Sequence, residues 1–284
     1  MKGLFIGLTA VDIIYPLTAF PRENEKIRAT GEIMDVGGPA TNAAFAFSAL
    51  GGEATLVSWV GKHALTGFIN DKLASYGLFH LDLNVNYEKD PIVSCVMLNT
   101  STGSRTIVTS QVNMNIPIIP PNLDPGLFDI ICVDGFYGQY VIKFLRKNNK
   151  STPVILDGGS YKVDTDAILP WVTYPLLSDH FVPPDNLSAV EYLESFGFKK
   201  YAITRGEKPI SVYNEHKAFE LSVPPIMAVD TLAAGDIFHG AFAKFIIDED
   251  CYYESALLKA ASVATRSCEF IGPRKWAEDY NKER

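Results

Sequence analysis

The sequence predicts an α/β fold, with a central, mainly parallel sheet flanked by helices and a small β lid beside it. Three observations carry this. Leu4–Leu8 is a short apolar run bounded by glycines, the signature of a strand buried on both faces. From about Phe128 onward, strand-like and helix-like segments alternate, and that alternation implies parallel strands joined by covering helices. Two β-rich stretches, at about 10–36 and 92–110, stand outside the alternation, which assigns them to a lid.

The elements follow in order. Ala10–Val36 mixes β-branched and charged residues with Pro16 and Pro21, and reads as short, half-exposed strands and turns. Gly37-Gly38-Pro39 opens a helix that runs through Ala49. Ala54–Val60 is strand-like, and Leu65–Tyr76 has helical spacing that stops before Gly77, a C-cap. Ile92–Leu98 and Arg105–Thr109 flank Ser101-Thr102-Gly103-Ser104, which predicts a hairpin. Phe128–Val133, Val154–Asp157, Asp179–Val182 and Tyr201–Thr204 are strand candidates, and Tyr140–Lys147 and Ala189–Phe196 are helix candidates. Ile210–Tyr213 and Ala218–Leu221 form a late hairpin across Asn214-Glu215. Gly235–Ile247 and Tyr252–Ser267 close the chain as helices. No repeat or long linker divides residues 1–284, so they read as a single unit.

Composition excludes several functions. The 284 residues carry 25 Lys and Arg against 33 Asp and Glu, a formal charge of −8. Nucleic-acid binding needs clustered cations to replace counterions, so it is not expected. Hydrophobic residues make up 47% of the chain, ample for a packed core. No apolar run reaches the roughly 18–20 residues of a membrane span. Cys95, Cys132, Cys251 and Cys268 form no C-x-x-C pair, so neither a zinc site nor a disulfide scaffold is expected, and a cytoplasmic location is the simpler reading. The apolar start is broken by Asp12 and Pro16, which reads as a first strand rather than an export signal.

The chemistry concentrates in two segments. In Asp230-Thr-Leu-Ala-Ala-Gly-Asp236, the small residues Ala233, Ala234 and Gly235 precede a helix. Their N–H groups have no intrahelical partner, and the helix dipole adds positive potential, which suits a phosphate. Asp236 sets a carboxylate beside that anion site. Asp at a helix start also serves as an N-cap, and on this segment alone both readings stand. In Gly37-Gly38-Pro39-Ala40-Thr41-Asn42, the glycines admit close backbone approach, and Asn42 offers a donor and an acceptor to a hydroxyl. Taken alone, Gly-Gly-Pro is also an ordinary turn before a helix.

Together the two segments resemble the paired signatures of the ribokinase/PfkB carbohydrate kinase family. Gly37-Gly38-x-Ala40-x-Asn42-x-Ala44, with Gly51 and Gly61, resembles the first signature; Asp230-Thr231-x-Ala233-Ala234-Gly235-Asp236-x-x-x-Gly240-Ala241-Phe242 resembles the second. Their order and separation match as well. Gly103-Ser104-Arg105-Thr106-Ile107, with Pro21–Arg28, resembles the ketohexokinase/fructokinase-like branch.

The resemblance implies a ribokinase-like fold and an ATP-dependent sugar kinase. It makes Asp236 the general base and Ala233, Ala234 and Gly235 the anion hole. It gives Asp12, Gly38 and Asn42 to substrate hydroxyls, with Asn24 and Arg105 as further substrate candidates on the lid. Thr204, Gly206 and Glu207 resemble the nucleotide loop, and Asp230 is a candidate for a monovalent cation such as K+. The implied partners are a small-molecule sugar, ATP and Mg2+, with neither nucleic acid nor membrane. The exposed lid edges suggest a homodimer. A nucleoside kinase of the same family and a catalytically weak sugar-binding regulatory protein are the alternatives.

Two departures stand out. Pro183-Pro184-Asp185-Asn186-Leu187 lacks the family's N-x-x-E, so no magnesium residue is assigned, and Pro209 replaces a common glycine in the nucleotide loop. His239 reads as packing inside the signature helix, and His63, His80, His180 and His216 show no ligand spacing. Glu278–Arg284 reads as a solvated charged end. A carboxylate at Asp12 and an amide at Asn42 suit hydroxyls rather than phosphate. Arg105 is the one expected inward cation, with Arg22, Lys26 and Arg28 as lid charges. A neutral sugar is therefore expected, fructose ahead of ribose.

Overall fold

The computed structural model describes residues 1–88, 90–111, 117–119, 121–148, 151–215, 217–248 and 252–282. His216, Cys251 and the last two residues of the Glu278–Arg284 cluster lie outside them. In chain order the elements are β1 (Lys2–Ile6), β2 (Ala10–Leu17), β3 (Ile33–Gly37), α1 (Pro39–Ala49), β4 (Glu53–Ser58), α2 (Thr66–Ser75) and β5 (Phe79–Asp82). β6 (Val93–Asn99), β7 (Arg105–Thr109), β8 (Ile130–Val133), α3 (Gly138–Asn148), β9 (Val154–Gly158), α4 (Thr165–Ile168), β10 (Tyr174–Ser178) and α5 (Ala189–Ser195) follow. β11 (Lys200–Arg205), β12 (Lys208–Asn214), β13 (Lys217–Leu221), α6 (Ala234–Ile246), α7 (Tyr253–Ser267) and α8 (Lys275–Lys282) complete the chain.

Nine strands form one sheet in the order β13-β12-β11-β10-β9-β8-β1-β4-β5. The pairings from β5 through to β11 are parallel, and the pairings of β12 with β11 and with β13 are antiparallel. The central strands β1, β8 and β9 are buried almost throughout because both faces are covered. Leu4 and Ile6 pack into one core with α3 and α5, while Phe5 between them packs into the other with α1, α6 and α7. The chain leaves β1 for β4 on one side and returns to β8 on the other. That reversal is the place where open α/β sheets bind ligands, at the carboxyl ends of their strands.

β3-β2-β6-β7 form a separate four-stranded sheet, the expected lid. Its hairpin falls where the sequence places it. β2 is more buried than the half-exposed reading allowed, because Val11 and Ile14, on opposite faces of the strand, both join the main core. The strand read at Asp179–Val182 is a correction: those residues form a turn, and the strand is Tyr174–Ser178. Pro175 hides it. The ladder to β11 begins only at Leu176, so the missing proline N–H falls at the strand start, where it is tolerated. Residues 278–282 of the charged cluster lie on α8, the helix that buries Trp276 completely.

Candidate active site

Asp236 sits in the first turn of α6 at the carboxyl end of the sheet. Two features place it. Ala233, the N-cap of α6, adopts a left-handed backbone (φ 61°, ψ 11°), strained for a residue with a Cβ. The first helical bond, from Ile237 N to Ala233 O (2.8 Å), starts beyond this bend. Gly240 then lets α6 cross α1 at backbone distance, because a Cβ there would stand 2.1 Å from Ala43 O. The crossing brings Asn42 to Asp236, and Asn42 Nδ2 donates to Asp236 Oδ2 at 2.7 Å. Residues 194 apart in sequence meet through one glycine.

The turn before α6 keeps open space. A Cβ added at Gly235 would touch nothing within 4 Å, and Gly235 is exposed. Among the three residues read as an anion hole, only the Ala234 N–H has an acceptor among the described residues, Thr231 O at a long 3.3 Å. Burial pushes the Asp236 carboxyl up to about 7, and the Asp157 charge adds to the rise; the Asn42 hydrogen bond and His239 oppose it. A carboxyl poised near neutrality is suited to accepting a proton.

Asp12 lies on β2, directly opposite Asp35 on β3, so two carboxylates share one face of the lid. Asp12 is 7% exposed, and burial raises its pKa above the usual carboxylate range despite a hydrogen bond from Ser94. Gly37 is required beside it, since a Cβ there would lie 1.9 Å from Asp12 Oδ2. Gly38 (φ 100°) passes close to the end of β1, where a Cβ would stand 2.3 Å from Leu8 O.

Arg274, after α7, answers these acids and is absent from the sequence reading. Its Nη2 donates to Asn42 Oδ1 at 2.7 Å and Val36 O at 2.8 Å, and its Nε stands 3.8 Å from Asp35 Oδ2. The guanidinium packs against the rings of Phe45 (4.4 Å) and Tyr76 (5.1 Å), and the Tyr76 hydroxyl donates to Asp35. Asn42 thus has both ends of its amide engaged within the protein. Arg105 is therefore not the only inward cation, although Asp12 and Asp35 offset the charge of Arg274.

Other predicted residues sit as follows. The Arg105 guanidinium donates to Thr231 Oγ1, and Thr231 Oγ1 donates to Gly103 O at 3.2 Å, joining the lid tip to the loop before α6. Asn24 is exposed in a left-handed turn (φ 62°) and makes no side-chain hydrogen bond among the described residues. Thr204 is the last residue but one of β11, followed after Arg205 by Gly206 (φ 62°) and exposed Glu207. Asp230 is buried, and its two oxygens accept from Leu232 N (2.8 Å) and Gly272 N (2.9 Å). It clamps the loop before α6 to the loop after α7.

Two further acids escaped the sequence reading. Asp134, just past β8, accepts from Leu8 N (2.8 Å) and Ala40 N (3.2 Å). It serves the first turn of α1, whose own N-cap, Gly38, has no side chain to do so. Burial raises its pKa to about 6. Asp157 occupies the matching place on β9. Both stand in an apolar-run-Asp-Gly pattern, Val133-Asp134-Gly135 and Leu156-Asp157-Gly158, a signal available in the sequence. Arg274 carries no comparable signal.

Comparison with known proteins agrees with this architecture. The model of the pfkB family carbohydrate kinases matches residues 2–116 and 180–275. Ketohexokinase of Mus musculus is 23% identical over 95% of this chain and 96% of its own length. A nucleoside kinase of Methanocaldococcus jannaschii is 24% identical over 93% of this chain and 91% of its own. The structure of Arabidopsis thaliana ribokinase complexed with ribose and ATP superposes with a TM-score of 0.76 at 22% identity, covering 99% of this chain and 97% of that one. The match to the family spans both signatures and most of the chain between them and the lid. The chain belongs to the pfkB family of carbohydrate kinases and is an ATP-dependent kinase of that family.

Proposed function

We propose that the protein transfers the γ-phosphoryl group of ATP to a hydroxyl of a free, neutral sugar, fructose- or ribose-like. The observation that carries this is the pairing of Asp236, poised near neutrality, with the open turn at Gly235. The substrate hydroxyl gives its proton to Asp236 as its oxygen attacks phosphorus. The bond from phosphorus to the bridging oxygen breaks, and ADP leaves. The amides of Ala233, Ala234 and Gly235 face the charge that develops on the phosphoryl oxygens.

Asp12, Gly38 and Asn42 line the side from which a sugar would approach, with Arg105 and Asn24 on the lid. Arg274 holds Asn42 by its carbonyl oxygen, so a sugar hydroxyl reaching Asn42 must share an amide already oriented. Thr204, Gly206 and Glu207 are assigned to the nucleotide. Mg2+ is assigned to the ATP phosphates, since it is usually held by few protein carboxylates. Asp230, with both oxygens already on backbone N–H groups, supports a structural clamp better than a K+ ligand. The exposed outer strand β7 suits a homodimer through the lid, and the free thiols Cys95, Cys132 and Cys268 suit a cytoplasmic location.

The likeness to ketohexokinase and to ribokinase supports a sugar; the likeness to a nucleoside kinase keeps nucleosides as the second reading. ADP release measured over a panel of free sugars, sugar phosphates and nucleosides decides between them. Turnover of free sugars is expected. Turnover of nucleosides or sugar phosphates alone would overturn the substrate assignment, and ATP binding with no turnover of any acceptor would favour a regulatory protein.

A further inference from the structure

One polar side chain on α6 has no task in phosphoryl transfer. His239 lies one turn past Gly235 and is 3% exposed. Its Nδ1 is 2.7 Å from Gly235 O and 3.3 Å from Asp157 Oδ2, and its Nε2 is 3.1 Å from Leu176 O on β10. Two of these oxygens are backbone carbonyls, which cannot donate. The third belongs to a buried carboxylate and has no hydrogen-bond partner among the described residues. A neutral imidazole carries one N–H and one lone pair. Either neutral tautomer would therefore point a lone pair at a carbonyl inside the core. Protons on both nitrogens satisfy both carbonyls and set a positive charge 3.3 Å from the Asp157 oxygen.

We propose that His239 is held as an imidazolium, that it neutralises Asp157, and that it is a positioning residue that keeps Asp236 ionised. This rests on the reading of Asp236 as the base. The charged and titratable groups gathered here are Asp157 on β9, Asp134 after β8, Cys132 on β8 and Asp236 on α6 itself, with Lys162 acting on Asp134. Asp157 and Asp134 oppose a negative charge at Asp236, while His239 and Asn42 favour it. With the cation removed, Asn42 alone would oppose two carboxylates, and Asp236 would hold its proton at neutral pH.

The first test is nitrogen NMR of the full-length protein labelled with 15N-histidine, at pH 7.5. The His239 ring is assigned by its loss in His239→Gln or, should that variant not fold, by contacts to the Phe238 ring 5.6 Å away. Two protonated nitrogens are expected, and one protonated with one bare nitrogen would overturn the proposal. The second test is the acid limb of the kcat profile. His239→Gln should move it up by about one pH unit or more, Asp157→Asn should move it down, and the double variant should return near wild type. An unmoved limb in His239→Gln would also overturn the proposal. Should the wild-type protein turn over no acceptor, the reading of Asp236 as base fails, and the NMR result still decides the state of His239.

Discussion

Asp236→Asn removes a charge whose burial destabilises the fold, so the variant should be more stable than the wild type above neutrality. Its carboxyl moves from the ordinary 3.8 to about 7 on folding. At about 1.4 kcal/mol per pH unit this amounts to about 4 kcal/mol, and solvent contact at the partly exposed carboxyl reduces it to about 2–4 kcal/mol. The sign follows from proton binding. Between these two values the folded protein holds a proton that the unfolded chain has released. The contribution of Asp236 to stability therefore falls as pH rises from about 4 to 7 and is flat beyond. Asn keeps the shape and an oxygen for the Asn42 amide, and it does not titrate. Urea unfolding of both proteins at pH 8 and pH 4.5 measures the difference. The gain expected at pH 8 should shrink to roughly a quarter at pH 4.5, where the wild-type carboxyl is protonated in the fold and, in the unfolded chain, lies less than one pH unit above its own ordinary value. A variant less stable than wild type at pH 8, or a gain equal at both pH values, would refute the burial argument.

Gly235→Ala places a methyl group where the protein has empty space. Its melting temperature should hold or rise slightly, since Ala is the better helix former by about 1 kcal/mol, while kcat falls by about 10²-fold as the methyl occupies the phosphate position; full activity would place the phosphate elsewhere. Gly240→Ala drives a Cβ into Ala43 O and should cost about 1–3 kcal/mol in unfolding measurements and also lower kcat by parting Asn42 from Asp236. Unchanged stability would mean that the helix crossing gives way easily. Asp12→Ala should lower kcat/KM for the sugar by up to ~10⁴-fold while leaving the KM for ATP nearly unchanged. Equal losses toward both substrates would remove Asp12 from the sugar site.

Much of the fold was legible because buried parallel strands and amphipathic helices write their periods into the chain. Leu4–Leu8, the hairpin at Ser101–Ser104 and the signature helix all fall where their patterns place them. β10 escaped because Pro175 argues against a strand unless one knows that the neighbouring ladder starts after it. α8 escaped because its charges conceal one buried tryptophan. At the site, the glycine and alanine positions were readable, since each admits a close approach that any larger side chain would block. The network around them was not. Arg274 reaches Asn42 across 232 residues, and His239 meets Asp157 across the sheet. Contacts of that kind depend on how α6 crosses α1, and local spacing carries no record of it.

Phosphoryl transfer to the sugar can be observed directly. Wild-type protein and Asp236→Asn are each incubated with ATP, Mg2+ and fructose or ribose, and the phosphorus NMR spectrum is followed over time. A growing sugar phosphomonoester signal matched by ADP is expected in the wild type. The same signal should appear ~10²–10⁴-fold more slowly in the variant, the usual worth of a general base. Equal rates in the two proteins, or ATP consumed with inorganic phosphate as the sole product, would contradict these expectations.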